Sequence, residues 1–257
     1  MNIGQNKKKS GNPTLKDSVF DKVGRAADSS NEMTIDGAIG KTGILLALVV
    51  LGGMLTWNMY GSLAYQGYIM PLLWLGLIGG FVLALVISFK PTTASYLSPV
   101  YAILEGLALG GISVLLNVRF GGIAFEAICL TVLVATLMLI LYRFRVIRAT
   151  EKFRSIVVLA TISIAVFYLI SFVLSFFNIY TPMSLNSTAP FWLTIGLSVV
   201  IVIVAALNLI LDFDFIERGS EYGAPKHMEW YGAFGLTVTL VWLYLELLRL
   251  LARIYNR

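Results

Sequence analysis

Long apolar runs alternate with short polar stretches along most of this chain. Each run is rich in Leu, Ile, Val and Ala, and each approaches the ~20 residues that an α-helix needs to cross the hydrocarbon core of a bilayer. The runs lie at residues 43–60, 71–89, 99–118, 122–142, 156–177, 190–211 and 230–251. This pattern predicts seven transmembrane segments.

The runs predict helices and not the strands of a barrel. They are continuous, whereas strands of a transmembrane barrel alternate polar and apolar residues over about 10 positions. Short connections such as residues 117–121 make successive helices antiparallel neighbours, and the sequence has no internal repeat. We therefore expect an all-α, polytopic bundle of seven transmembrane helices.

The first 42 residues are polar and contain no apolar run. We expect a flexible cytoplasmic tail at residues 1–42 and the seven-helix transmembrane domain at residues 43–257. Within the tail, the segment Met-Thr-Ile-Asp-Gly at residues 33–37 precedes the first apolar run. It is expected to cap or anchor the first helix.

Composition and charge predict the environment and the orientation of the chain. With 58% hydrophobic and 13% charged residues, and a mean hydropathy of +0.84, it is not a soluble globule. Fifteen Lys and Arg residues lie in the tail and in the second, fourth and sixth loops, against three on the opposite side. Because Lys and Arg stay on the cytoplasmic side, we expect the N-terminus in the cytoplasm and the C-terminus outside. The pI of about 9.3 then reflects topology and anionic lipid, and not nucleic-acid binding.

The scarcity of histidine and cysteine argues against several classes of enzyme. His227 is the only histidine and Cys129 the only cysteine. A His-Glu-x-x-His metal site needs two histidines, and a serine hydrolase needs a nucleophile next to a base. The sequence has neither a Gly-x-Ser-x-Gly elbow nor a Gly-x-Gly-Asp element beside its acids. We expect neither an enzymatic activity nor a bound cofactor.

Three acids interrupt the apolar segments: Glu105, Asp212 and Glu246. An ionisable group in hydrocarbon costs roughly 2.5–3.5 kcal/mol or more, so such residues usually face the interior of a bundle and mark an ion or proton path. Their positions make transport the first hypothesis.

Glu105 lies in the third run, beside Gly106 and Gly110. These two glycines form a face of small residues that permits close approach of another helix. Glu105 is a candidate for an ion path, and the alternative is a protonated side chain that hydrogen-bonds to a neighbouring helix. Glu126, near the outer end of the fourth run, is a weaker candidate for an outer vestibule.

The remaining candidate acids lie in or just after the last two apolar runs. Asp212 is either a desolvated carboxyl at the edge of the hydrocarbon or the first solvated residue after the sixth run. Asp214, a secondary candidate, and Glu217 are expected to be solvated charges at the interface. Glu246 lies in the last run, past the midplane of the membrane, and is a candidate for the ion path. The alternative to that role is an intrahelical pair with Arg249 at i+3, which lowers the cost of both charges.

Short motifs follow one another in a fixed order along the seven runs. They are Asn12-Pro13, Met33-Thr34, Tyr101-Ala102-Ile103-Leu104-Glu105-Gly106 with Gly110 and Ser113, Leu211-Asp212 with Ile216, Ala224-Pro225-Lys226, and Trp242-Leu243-Tyr244-Leu245-Glu246. In this combination the chain resembles the Bax-inhibitor (transmembrane Bax-inhibitor-motif) family, and most closely its bacterial branch. The resemblance covers most of the chain.

The resemblance implies that six helices surround the last one, and that the protein is a pH-sensitive calcium leak in a bacterial cytoplasmic membrane. It also implies that two acids, at the positions of Asp212 and Glu246, form a hydrogen-bonded pair that senses pH. The chain departs from the family in three respects. The second acid is Glu where better-known members have Asp, the segment between the acids is longer, and the second helix lacks a buried arginine, so that only Lys90 offers a positive partner.

Two carboxyl groups that lie close together in a low dielectric share a proton and titrate as one unit. Protonation would hold the helices together, and loss of the proton would open a path with oxygen ligands for a hard cation such as calcium. We expect a proton-gated calcium leak or exchanger whose partners are membrane lipid, calcium and protons, with calcium passing near Asp212 and Glu246. The alternative is a membrane interaction protein that modulates a membrane protease or another membrane complex through its tail and cytoplasmic loops.

Overall fold

The computed structural model describes residues 24–26, 31–62, 64–179, 181–182 and 189–256. Its long helices are α1 (Ile35–Tyr60), α2 (Ile69–Phe89), α3 (Ala94–Arg119), α4 (Ile123–Arg143), α5 (Glu151–Ser175), α6 (Phe191–Tyr222) and α7 (Met228–Tyr255). Short 3-10 turns at Gln66–Tyr68 and Pro91–Thr93 precede α2 and α3. Among the described residues seven helices are long and apolar enough to cross a membrane, which confirms the predicted all-α, multi-pass membrane fold.

Two helices extend well beyond their apolar runs. Helix α1 begins at Ile35 because Thr34 caps it, with the Thr34 side chain accepting from the Gly37 N–H at 3.0 Å. The expectation that residues 33–37 cap the first helix is therefore confirmed. Helix α6 continues past Asp212 to Tyr222 and ends at Gly223, which has a φ of 72°. Glycine adopts this left-handed conformation at little cost.

The last helix is the centre of the bundle, as predicted. Helix α7 packs against α1, α3, α4 and α6, and residues along most of its length are buried. Helix α5 lies at the periphery and contributes a single fully buried residue, Val157, so most of its apolar side chains are left for lipid. The hydroxyls of Ser113 on α3 and Tyr244 on α7 lie 2.7 Å apart and tie the centre to the surrounding helices.

Glycines allow α3 to touch the backbones of two neighbouring helices. A Cβ atom on Gly106 would lie 2.3 Å from the Val49 carbonyl oxygen and 3.0 Å from the Gly52 Cα of α1. On the other side of α3, a Cβ atom on Gly76 of α2 would lie 2.4 Å from the Leu104 carbonyl oxygen. The small-residue face predicted at Gly106 is therefore a helix contact, and the α2 glycine packs within the bundle.

A short segment before α1 is bound to the loop between α6 and α7. The Met33 N–H donates to the Ala224 carbonyl at 2.6 Å, and the Lys226 N–H donates to the Asn31 carbonyl at 2.8 Å. The Met33 side chain is almost fully buried. This contact lies within the predicted tail at residues 1–42, most of which lies outside the described residues.

Candidate functional site

Glu246 is buried inside the bundle, with only 2% of its surface exposed. Tyr168 of α5 donates its hydroxyl to both carboxylate oxygens, at 2.7 and 2.9 Å. The Trp242 indole N–H, one turn earlier on α7, donates to Oε1 at 3.0 Å. Both oxygens therefore have hydrogen-bond donors, which lowers the cost of burying the charge.

The positive partner of Glu246 is Arg249. Its Nη1 atom lies 3.0 Å from each carboxylate oxygen and also donates to the Tyr168 hydroxyl. The intrahelical i+3 pair weighed from the sequence is therefore present. Lys90, which the resemblance left as the positive partner, is an exposed residue at the end of α2. The cation that balances Glu246 comes from its own helix.

Sequence reasoning missed Tyr168 and Arg253. Tyr168 is a hydroxyl-bearing residue in the middle of an apolar run, and the sequence offered no other signal. Arg253, one turn beyond Arg249, is buried and donates to the Thr194 carbonyl at 3.2 Å and to the Ser198 hydroxyl of α6. Together these residues form a polar cluster near the C-terminal end of α7, between α5 and α6.

Asp212 lies on α6 against a different part of α7. Its Oδ1 atom is 3.9 Å from the position that a Cβ would take on Gly235. Its Oδ2 atom is buried and has no hydrogen-bond partner among the described residues. Asp212 is therefore half-buried, with one carboxyl oxygen inside the helix packing, and is not the first solvated residue.

The structure does not bring Asp212 and Glu246 together. Asp212 lies beside Gly235, which precedes Glu246 by about three helical turns, or roughly 16 Å along α7 at ~1.5 Å per residue. The reason is the length of the α6–α7 hairpin: α6 continues to Tyr222 before the chain turns. The hydrogen-bonded pair that the resemblance implied is absent from this packing, and the gating roles of the two acids stay predictions.

Asp214 is not the solvated charge that we expected, whereas Glu217 is partly exposed. Asp214 is buried and pairs with Arg154 of α5 and, at 2.9 Å, with Arg218 one turn later. Glu217 pairs with Arg145 and accepts from the hydroxyl of Tyr142. These ion pairs explain how α6 stays helical and packed beyond the end of its apolar run.

Glu105 and Glu126 occupy less enclosed positions. The Glu105 carboxylate lies over Gly80 of α2, where a Cβ would be 2.8 Å from Oε2, and the side chain is half-buried. Glu126 is half-buried and accepts from the Tyr255 hydroxyl at 2.7 Å, at the C-terminal end of α7. Neither residue contacts Asp212 or Glu246 through a described hydrogen bond.

A fourth buried acid, Glu229, lies at the opposite end of α7 and has a structural explanation. It accepts from the Thr34 N–H and the Thr34 hydroxyl, both at 2.9 Å, and pairs with Lys41. A Cβ on Gly37 would lie 2.3 Å from its Oε1 atom, so α1 needs glycine there. Glu229 thus joins the start of α1 to the start of α7. Sequence reasoning missed it because it precedes the last apolar run.

Among the described residues no group of three or more His, Cys, Asp or Glu side chains lies close enough to hold a metal ion. No described hydrogen bond joins two of the carboxylates described above.

Comparison with known proteins gives one positive result. A family model described as Bax inhibitor 1 like matches residues 12–256, which is nearly the whole chain. No individual curated protein matches the chain.

Proposed function

The chain belongs to the Bax inhibitor 1 like family, and on that premise we propose that it is a proton-sensitive leak for cations, with calcium as the transported ion. As a multi-pass membrane protein it has the architecture that such a leak requires. The proposal extends to its location in a bacterial cytoplasmic membrane, with the N-terminus inside, and to the absence of an enzymatic role.

The observation that carries the proposal is the environment of Asp212. A buried carboxylate without a cation beside it costs several kcal/mol, and the neutral acid costs less. The unpartnered Oδ2 atom therefore suits a protonated Asp212 in the closed packing. Loss of the proton would put a charge between α6 and α7, weaken their contact and supply an oxygen ligand for a cation.

Glu246 has a different part in this proposal. Arg249, Tyr168 and Trp242 balance its charge and satisfy its oxygens, so it does not need a proton to remain buried. We propose that Glu246 and these three side chains block the ion path in the closed state. Separation of Arg249 from Glu246 would expose a second carboxylate to a passing ion, and carboxylate oxygens are the ligands that calcium prefers.

Calcium flux into proteoliposomes tests the proposal, measured from about pH 5 to about pH 8, where carboxyl groups in low dielectric titrate. The expected result is calcium entry that exceeds that of empty liposomes and increases with pH. Folded, inserted protein that gives no flux at any pH would contradict the proposal and favour the interaction-protein alternative.

A further inference from the structure

A cavity of about 370 Å³ opens where the loop between α4 and α5 meets α6. Its lining consists of Arg145, Arg148, Ala149, Thr150, Asp214 and Arg218. The volume lies within the range of ligand-binding cavities, roughly 300–1,000 Å³. Three arginines and a single carboxylate give this cavity a positive lining.

The carboxylate in the lining is already neutralised. Asp214 pairs with Arg218 at 2.9 Å and also with Arg154, so two cations share one anion. Arg145 is matched by Glu217. Arg148 is exposed and has no carboxylate within ion-pair distance among the described residues. The lining therefore has positive charge to offer to an anion.

Thr150 adds a hydroxyl and a helix terminus to this lining. It caps α5, and its Oγ1 atom accepts from the Phe153 N–H at 3.3 Å. That hydrogen bond uses a lone pair and not the hydroxyl hydrogen, which remains a donor. Anions are favoured at a helix N-terminus by the free N–H groups and by the helix dipole. Guanidinium groups match the oxygens of a phosphate with paired hydrogen bonds.

Arg145 is held in a conformation that ordinarily favours glycine. It follows the end of α4 with a φ of 57°, and its N–H donates to the Tyr142 carbonyl at 2.9 Å. The left-handed conformation is unfavourable for a residue with a Cβ. The guanidinium nevertheless stays at the mouth of the cavity, paired with Glu217 and over the Tyr142 ring.

The surroundings of the cavity favour a lipid over a soluble anion. Phe144 and Val146, in the same loop, are 74% and 68% exposed. Apolar side chains beside arginines are typical of a surface that contacts acyl chains and headgroups together. We propose that this cavity binds the phosphate group of an anionic phospholipid.

Lipid binding to the full chain in a neutral detergent tests this site. Short-chain phosphatidylglycerol, phosphatidylcholine with the same acyl chains and inorganic phosphate are titrated separately, and bound ligand is counted by native mass spectrometry. The variants are Arg148→Gln, Arg148→Lys and, as a matched control, Arg143→Gln. Arg143 is also exposed and ends α4, but it does not line the cavity.

We expect the wild-type chain to bind phosphatidylglycerol more tightly than phosphatidylcholine. Arg148→Gln should weaken phosphatidylglycerol binding about tenfold, the effect of losing one charged hydrogen bond. Arg148→Lys should lose less, and Arg143→Gln should bind as the wild type does.

Three results would overturn the proposal. Equal losses in Arg148→Gln and Arg143→Gln would indicate general surface charge and no site. Equal affinity for the two lipids would remove the preference for an anionic headgroup. Inorganic phosphate that binds as tightly as phosphatidylglycerol would identify a soluble anion as the ligand instead.

Discussion

At the residue scale, the side chains around Glu246 stabilise a charge inside the bundle. Arg249 supplies the opposite charge, and Tyr168 and Trp242 supply hydrogen bonds. Removing one member of a buried ion pair leaves the other uncompensated, whereas removing both charges together costs much less. The two cases can be compared in matched variants.

Arg249→Gln should lower the free energy of unfolding by about 3 kcal/mol, because Glu246 then remains buried without a cation. The double variant Glu246→Gln and Arg249→Gln should be more stable than Arg249→Gln alone. Unfolding in detergent micelles measures all variants of the cycle. A double variant that is less stable than either single one would show that the ion pair is not the reason for the loss.

His227, the only histidine, gives the stability a separate dependence on pH. It lies in the α6–α7 loop, and burial lowers its pKa below the ordinary value of about 6.5. Between the lowered pKa of the folded state and about pH 6.5, His227 is protonated in the unfolded chain and neutral in the folded chain. The contribution of His227 is therefore fully present above about pH 6.5 and is lost as the pH falls toward its lowered folded-state pKa.

His227→Gln should reduce the difference in thermal stability between about pH 7.5 and about pH 5.5, since glutamine does not titrate there. Thermal unfolding of both proteins at the two pH values measures this change. An unchanged difference would mean that other groups cause the pH dependence.

At the element scale, the crossing of α1 and α3 depends on the absence of side chains. Gly106 touches the backbone of α1, since a Cβ added to it would lie only 2.3 Å from the Val49 carbonyl oxygen. By contrast, a Cβ on Gly43, also in α1, would meet no atom within 4 Å. The two glycines therefore differ in the space available for a Cβ atom.

Gly106→Ala should destabilise the protein by roughly 1–3 kcal/mol, because overpacking forces the two backbones apart. Gly43→Ala should be neutral or stabilising by up to about 1 kcal/mol, because alanine favours a helix interior. Unfolding of both variants in detergent is the measurement. Similar effects of the two substitutions would contradict the proposed close contact.

The apolar runs predicted the helices well, because a transmembrane helix is specified locally by length and hydropathy. The C-terminal end of α6 was not predictable in this way, since the pairing of Asp214 with Arg154 joins two different helices. For the same reason the i+3 pair of Glu246 with Arg249 could be weighed from the sequence, whereas the contact with Tyr168 could not. The positions of Asp212 and Glu246 relative to each other depend on where the chain turns between α6 and α7.

At the scale of the whole molecule, α7 connects two polar centres at different depths. Near its start Glu229 binds Thr34 and Lys41 of the N-terminal segment and α1, and near its end Glu246 binds Arg249 and Tyr168. Asp212 lies between them along α7 and has no cation beside it among the described ion pairs. We therefore propose that Asp212 alone senses pH and that Glu246 is part of the barrier.

The most direct test compares the pH dependence of calcium flux in proteoliposomes for the wild type, Asp212→Asn and Glu246→Gln. Glu221→Gln is the matched control, since Glu221 is exposed on α6. We predict that Asp212→Asn abolishes the pH dependence, while Glu246→Gln changes the size of the flux and keeps its dependence on pH. Loss of the pH dependence in both variants would indicate a coupled pair of carboxyl groups, and its persistence in Asp212→Asn would show that Asp212 is not the pH sensor.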